Sequence, residues 1–93
     1  MIVSFRSREP ERIWRGDFSR RLPHDIQPAA LRKLRLLNNA TVIRDLSVPP
    51  NNRLEALSGN RAGQYSIRIN DQWRICFRWT DGGPADVEIV DYH

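Results

Sequence analysis

The hydrophobic period changes midway along this chain. Ala30, Leu34 and Leu37 recur at helical spacing, Leu31 and Ala40 extend the stripe, and Arg32, Lys33 and Arg35 lie largely off it. The pattern predicts a helix that starts at Asp25 or Gln27, with Pro28 in the first turn, where a missing N–H is tolerated. Asn38 and Asn39 weaken its end, Thr41 can cap a further turn through Val42, Ile43 and Leu46, and Pro49-Pro50-Asn51-Asn52 stops it. A shorter helix is predicted over Glu9–Gly16. It carries Ile13 and Trp14 inward, with acidic Glu9 and Glu11 near its start and Gly16 as its stop. Ile2-Val3-Ser4-Phe5 reads as a strand, and Arg20–Asp25 as an exposed basic loop.

After Gln64 the period becomes two. Tyr65, Ile67 and Ile69 alternate with Ser66, Arg68 and Asn70; Trp73, Ile75, Phe77 and Trp79 alternate with Arg74, Cys76 and Arg78. This is a β-hairpin around Asn70-Asp71-Gln72. Its apolar faces must coincide, because a one-residue slip would expose one set. A three-residue loop then pairs Ile69 with Trp73, Ile67 with Ile75, Tyr65 with Phe77 and Ser66 with Cys76. The same register sets Arg68 directly opposite Arg74, both facing solvent, with Arg78 further along that face. Like charges in opposed positions destabilise a sheet, so either acids neutralise this pair or an anion sits between them. Asp81-Gly82-Gly83-Pro84 is a second turn, and Val87, Ile89 and Val90 supply a last strand. The order β-α-α-β-β-β predicts an α+β fold: a small antiparallel β-sheet with helices packed on one face.

With 93 residues the chain has room for one domain, 1–93, and one core of modest size. No apolar run approaches the roughly 18–20 residues that cross a bilayer. The N-terminus has no charged-then-apolar signal layout, and the lone Cys76 fits a reducing compartment. Cytoplasmic residence without membrane contact is expected. Fifteen basic residues against eleven acidic give +4, and all the basic residues except Lys33 are arginine. The guanidinium fork grips phosphate bidentately and stacks on bases. The excess therefore points to nucleic acid or another polyanion, although a genome that favours arginine codons gives the same count.

Two segments carry candidate chemistry. In Leu57–Gln64, Gly59 and Gly63 bracket Arg61, and such a loop can bring backbone N–H groups and an arginine fork to a phosphate. It equally reads as a plain connection, and it is no P-loop, since the Lys-Ser/Thr after Gly is missing. The run Asp91-Tyr92-His93 sets a carboxylate, a phenol and an imidazole just beyond a predicted strand. These groups can move protons or orient a phosphate, and Tyr92 can stack on a base; a frayed tail is the structural alternative. His24, His93 and Cys76 are too few for a zinc site of usual ligand count, so neither metal nor cofactor is expected. His24 reads as a loop or cap residue, Cys76 as structural, and Trp14, Trp73 and Trp79 as core or partner-facing anchors.

Taken together, Asn52-Arg53-Leu54-Glu55-Ala56-Leu57-Ser58-Gly59-Asn60-Arg61-Ala62-Gly63, the hairpin from Tyr65 to Ile75 and the closing Asp91-Tyr92-His93 resemble the HigB-type toxins. These form a branch of the RelE/ParE superfamily in bacterial type II toxin–antitoxin systems. The resemblance implies a RelE/ParE-like toxin fold and ribosome-dependent cleavage of mRNA. It also implies neutralisation by a helix-turn-helix antitoxin, through which alone the toxin meets operator DNA. Arg61, Arg68 and Arg74 match basic active-site residues of such toxins, and Asp91, Tyr92 and His93 match their C-terminal functional segment. Related toxins can carry a His and a Lys where Glu55 and Ser58 stand here.

The implied reaction is metal-independent attack of an RNA 2′-OH on the adjacent phosphate. Arg61, Arg68 and Arg74 would stabilise the growing negative charge, and Arg78 would add a phosphate contact. His93 is the candidate acid, Asp91 a base or orienting group, and Tyr92 an orienting or stacking group. Two other readings stand beside this one: a non-nucleolytic ParE-like toxin acting on DNA gyrase, and a non-catalytic basic RNA-binding module.

Overall fold

The alternating stretch forms the centre of a four-stranded antiparallel sheet whose spatial order follows the chain: β1 (Glu55–Ala56), β2 (Gln64–Arg68), β3 (Trp73–Thr80) and β4 (Gly83–Asp91). The computed structural model describes residues 1–91. The hairpin register is the one that coinciding apolar faces require. Tyr65 lies opposite Phe77, Ser66 opposite Cys76, Ile67 opposite Ile75 and Arg68 opposite Arg74. Asn70 closes the loop, its Oδ1 accepting the N–H groups of Gln72 at 2.9 Å and Trp73 at 2.8 Å.

Two helices, α1 (Arg8–Trp14) and α2 (Gln27–Asn39), cover the apolar face of the sheet. Ile13 of α1 and Ala30, Leu34 and Leu37 of α2 meet Ile67, Ile75, Phe77 and Val87 in one buried core; Trp14 packs at its margin. A 3-10 turn over His24–Ile26 leads into α2, which places Pro28 in the first turn as expected. The turn after α2 is capped from the other direction than Thr41 suggests. Asp45 Oδ2 accepts the N–H and hydroxyl of Thr41 and the N–H of Val42 at 2.9–3.2 Å. These bonds hold the Asp45 carboxyl below its ordinary range.

The N-terminal segment is not a regular strand. Ile2–Phe5 runs extended beside β4 and joins it through a single parallel bridge, Phe5 to Val87. The cause lies in β4. Between Cys76 and Arg78 the β3–β4 register slips, and Asp86 adopts φ 52°. This bulge turns the Asp86 and Val87 N–H groups toward Ser4, whose hydroxyl and carbonyl accept them at 2.9 and 3.1 Å. Gly83, at φ 123°, lies beneath the first residue; a Cβ there would collide with the Met1 carbonyl oxygen.

Phe77 is fully buried at the centre of this core. Phe77→Ala is expected to cost about 3–5 kcal/mol in urea unfolding. A loss below about 1 kcal/mol would mean that the core is not organised around it.

Candidate active site

Strand register composes the opposite face of the sheet from two adjoining rows. Glu55, Ser66, Cys76 and Glu88 are successive partners across all four strands, and Arg68, Arg74 and Val90 form the next row. Directly opposed residues share a face, so the candidate arginines Arg68 and Arg74 emerge together beside the C-terminal end of β4.

Arg74 departs from expectation. It is buried, only 9% exposed, rather than solvent-facing. Its Nε donates to Ser66 Oγ at 2.8 Å and its Nη2 donates to the Arg53 carbonyl at 2.5 Å, with Glu55 Oε1 4.0 Å away. A buried guanidinium requires such acceptors. Arg53 supplies its carbonyl by taking a left-handed conformation, φ 47°. The turn that delivers it is pinned by fully buried Asn52, which donates to the Leu46 and Val48 carbonyls and accepts from Lys33 Nζ.

The other arginines lie in acidic company. Arg68 pairs with Asp71 across the hairpin loop. Arg61 Nη1 reaches Gln64 Oε1 at 3.0 Å and Glu88 Oε2 at 3.3 Å, and Arg78 Nε reaches Asp86 at 2.8 Å. The opposed charges of Arg68 and Arg74 are thus met from separate directions. Arg78 stands four residues beyond Arg74 on β3, roughly 13–14 Å along an extended chain, opposite Gln64.

Cys76 sits at the centre of this face, fully buried. Burial is the main cause that pushes its thiol above the ordinary value, with Glu88 and Glu55 adding to the rise and Arg61 and Arg74 opposing it. A thiol held neutral is a poor nucleophile, which favours the structural reading.

Asp91 pairs with Trp73 and so belongs to the helix-covered face, opposite to Arg74; its Oδ2 accepts from Gln72 Nε2 at 3.0 Å. Tyr92 and His93 lie outside the described residues. Next to the arginines, Glu55, Ser58, Asn60 and Arg61 line an open hollow of about 310 Å³. Glu55 and Ser58 therefore border the same space as Arg61. Among the described residues no three of His, Cys, Asp and Glu come together as a metal site would need.

Sequence reasoning missed Glu88, whose side chain is 16% exposed and meets Arg6 at 3.5 Å as well as Arg61. The alternation of Val87 and Ile89 already placed it on the polar face. It also missed the Arg53 carbonyl, for which no side-chain signal exists.

Comparisons with known proteins identify the family and the fold. Residues 3–93 match the family described as RelE-like toxin of type II toxin–antitoxin system HigB. The chain is 42% identical over 83 residues to Toxin HigB-1 of Vibrio cholerae, covering 88% of this chain and 87% of that protein. It is 27% identical over 93 residues to Endoribonuclease HigB of Proteus vulgaris, across the full length of both. Among solved structures, the YoeB/ParE toxin from Agrobacterium tumefaciens shares the fold, with a TM-score of 0.51 and 22% identity over 99% of this chain and 96% of that one.

The two opposed arginines are expected to differ in their structural weight. Arg74→Ala leaves Ser66 and the Arg53 carbonyl without their donor and should cost about 2–4 kcal/mol. Arg68→Ala breaks a pair with an exposed acid and should cost less than about 1 kcal/mol. Equal losses in chemical denaturation would contradict the burial of Arg74.

Proposed function

Because this chain belongs to the HigB-like family of RelE-like toxins of type II toxin–antitoxin systems, we propose that it is an endoribonuclease that cuts mRNA on the translating ribosome. The observation that carries the reading is one sheet face that sets Arg68 opposite Arg74 in one row and holds Glu88, the partner of Arg61, in the adjoining row. The RNA 2′-OH attacks the adjacent phosphorus, a new P–O bond forms, and the 5′-oxygen of the next nucleotide leaves. Charge that grows on the non-bridging oxygens is stabilised by the guanidinium groups, and a preorganised donor of this kind contributes on the order of 10²–10³ in rate.

Proton transfer is divided among several groups. His93 protonates the leaving oxygen, and Tyr92 orients or stacks on a base. Asp91 acts as a positioning group, since its strand register directs it to the other side of the sheet. Glu55 takes the proton of the 2′-OH: its carboxylate is half-exposed, borders the hollow with Arg61 and stands 4.0 Å from Arg74. Arg78 holds a neighbouring phosphate. No metal or cofactor enters the reaction. The ribosome supplies the attack geometry, so free RNA is cut poorly. In the cell the toxin is cytoplasmic and is neutralised by a helix-turn-helix antitoxin that carries the pair to operator DNA.

Mapping RNA ends on ribosomes after induction tests this. Cuts in phase with codons are expected. Arg68→Ala, which preserves the core, should reduce cleavage by about 10²–10³, and Glu55→Gln by about 10²–10⁴. Intact mRNA accompanied by DNA breaks would instead identify a gyrase poison.

A further inference from the structure

A second cationic surface lies on the helical side of the molecule. Arg8 and Arg12 of α1 and Arg20 and Arg21 of the following loop line one open groove of about 600 Å³, with Glu9 and Phe18. All four arginines are exposed. The ion pairs among the described residues engage Arg6, Arg15, Arg61, Arg68, Arg74 and Arg78 but none of these four. Glu9, the one carboxylate in the lining, also accepts the Ser19 hydroxyl at 2.5 Å.

The loop is fixed by a buried polar clamp. Ser19 is fully buried and Gln27 nearly so. Gln27 Oε1 accepts the Ser19 N–H at 3.0 Å, and its Nε2 donates to the Ser19 and Leu22 carbonyls at 2.8 and 3.1 Å. Ser19 Oγ in turn accepts the Arg21 N–H at 3.2 Å. Such a satisfied network makes a surface segment rigid. Here the segment it holds presents Arg20 and Arg21 toward Arg8 and Arg12. At the rim Phe18 is 47% exposed and meets the edge of the His24 ring at 4.0 Å. Fixing four cations beside a single carboxylate is unfavourable unless a further anion occupies the space between them.

We propose that this groove binds an RNA phosphate backbone as a docking site separate from the cleavage face. Ribosomal RNA as the particular ligand rests on the ribosome reading above. The lining favours RNA over an acidic protein segment. Protein interfaces centre on an apolar, desolvated patch, whereas this groove offers guanidinium forks and one exposed aromatic ring, the groups that hold phosphate and stack on bases.

The test compares the full chain with Arg20→Ala/Arg21→Ala and, independently, Arg12→Ala, after matching thermal melts confirm folding. Binding to small ribosomal subunits and to a short RNA duplex is measured across salt concentrations. The double variant should bind both at least about tenfold more weakly, with a log K against log salt slope shallower by about one to two, since each lost phosphate contact removes roughly 0.7–0.9. Cleavage at saturating ribosomes should keep its kcat while KM rises. Unchanged affinity and slope in both variants would overturn the groove as an RNA site. So would loss of antitoxin binding with RNA binding intact. If the unaltered protein binds the duplex through the groove but not the subunits, the groove stands and the ribosome reading fails.

Discussion

The interaction on which this structure turns is the burial of one guanidinium group. Arg74 lies inside the polar face of a two-sided sheet, and its burial is offset by the acceptors brought to it. Ser66 is its neighbour by register, and the Arg53 carbonyl arrives from outside the sheet. That second acceptor requires a left-handed residue, a pinned turn and the buried Asn52, which links the turn to Lys33 of α2. One cation thereby ties the helical layer, the loop before β1 and the central hairpin into a single unit. The hollow bordered by Glu55 and Arg61 follows from where that unit leaves the edge of the sheet.

Around this fixed centre the remaining arginines are held more loosely. Arg68 and Arg78 pair with carboxylates that are themselves exposed, Asp71 and Asp86, and such pairs contribute little stability and yield readily to a stronger anion. Arg61 shares the more sheltered Glu88 with Arg6. The acids keep like charges from destabilising the free sheet. Arg74 carries most of the structural weight on this face, while the others hold partners that a ligand can displace more readily. Arg78, four residues further along β3 from Arg74, keeps its own exposed partner in Asp86.

The hairpin and α2 were legible because each repeats its period several times and is bounded by strong turn chemistry. Asn70 and Pro28 sit where the pattern puts them. Other features left no such trace. β1 is two residues long, too short for any alternation to show. The parallel bridge from Phe5 to Val87 joins the two ends of the chain and depends on the bulge at Asp86, a non-glycine residue at positive φ that ordinary strand patterning gives no reason to expect. The burial of Ser66, Cys76 and Arg74 escaped because period-two reasoning assigns polar positions to solvent, whereas here charged side chains and an incoming loop close over them. Arg68 and Arg74 stand out by residue type and register and Arg61 by its glycine-bracketed loop, and the active-site match of all three comes from the resemblance to the HigB-type toxins. Asp91 was placed by the ending it shares with the HigB-type toxins, and only the β4 register sends it to the opposite face.

The central claim is that guanidinium groups of one sheet face address one phosphate. Its most direct measurement is an NMR titration of the arginine Nε–H resonances with a 2′-O-methyl RNA dinucleotide, which binds but cannot be cut. Arg61, Arg68 and Arg74 should shift together along one saturation curve, with Arg78 responding less. If those three remain still, or move with separate affinities, the arginines of this face do not converge on a common phosphorus and the catalytic account is wrong.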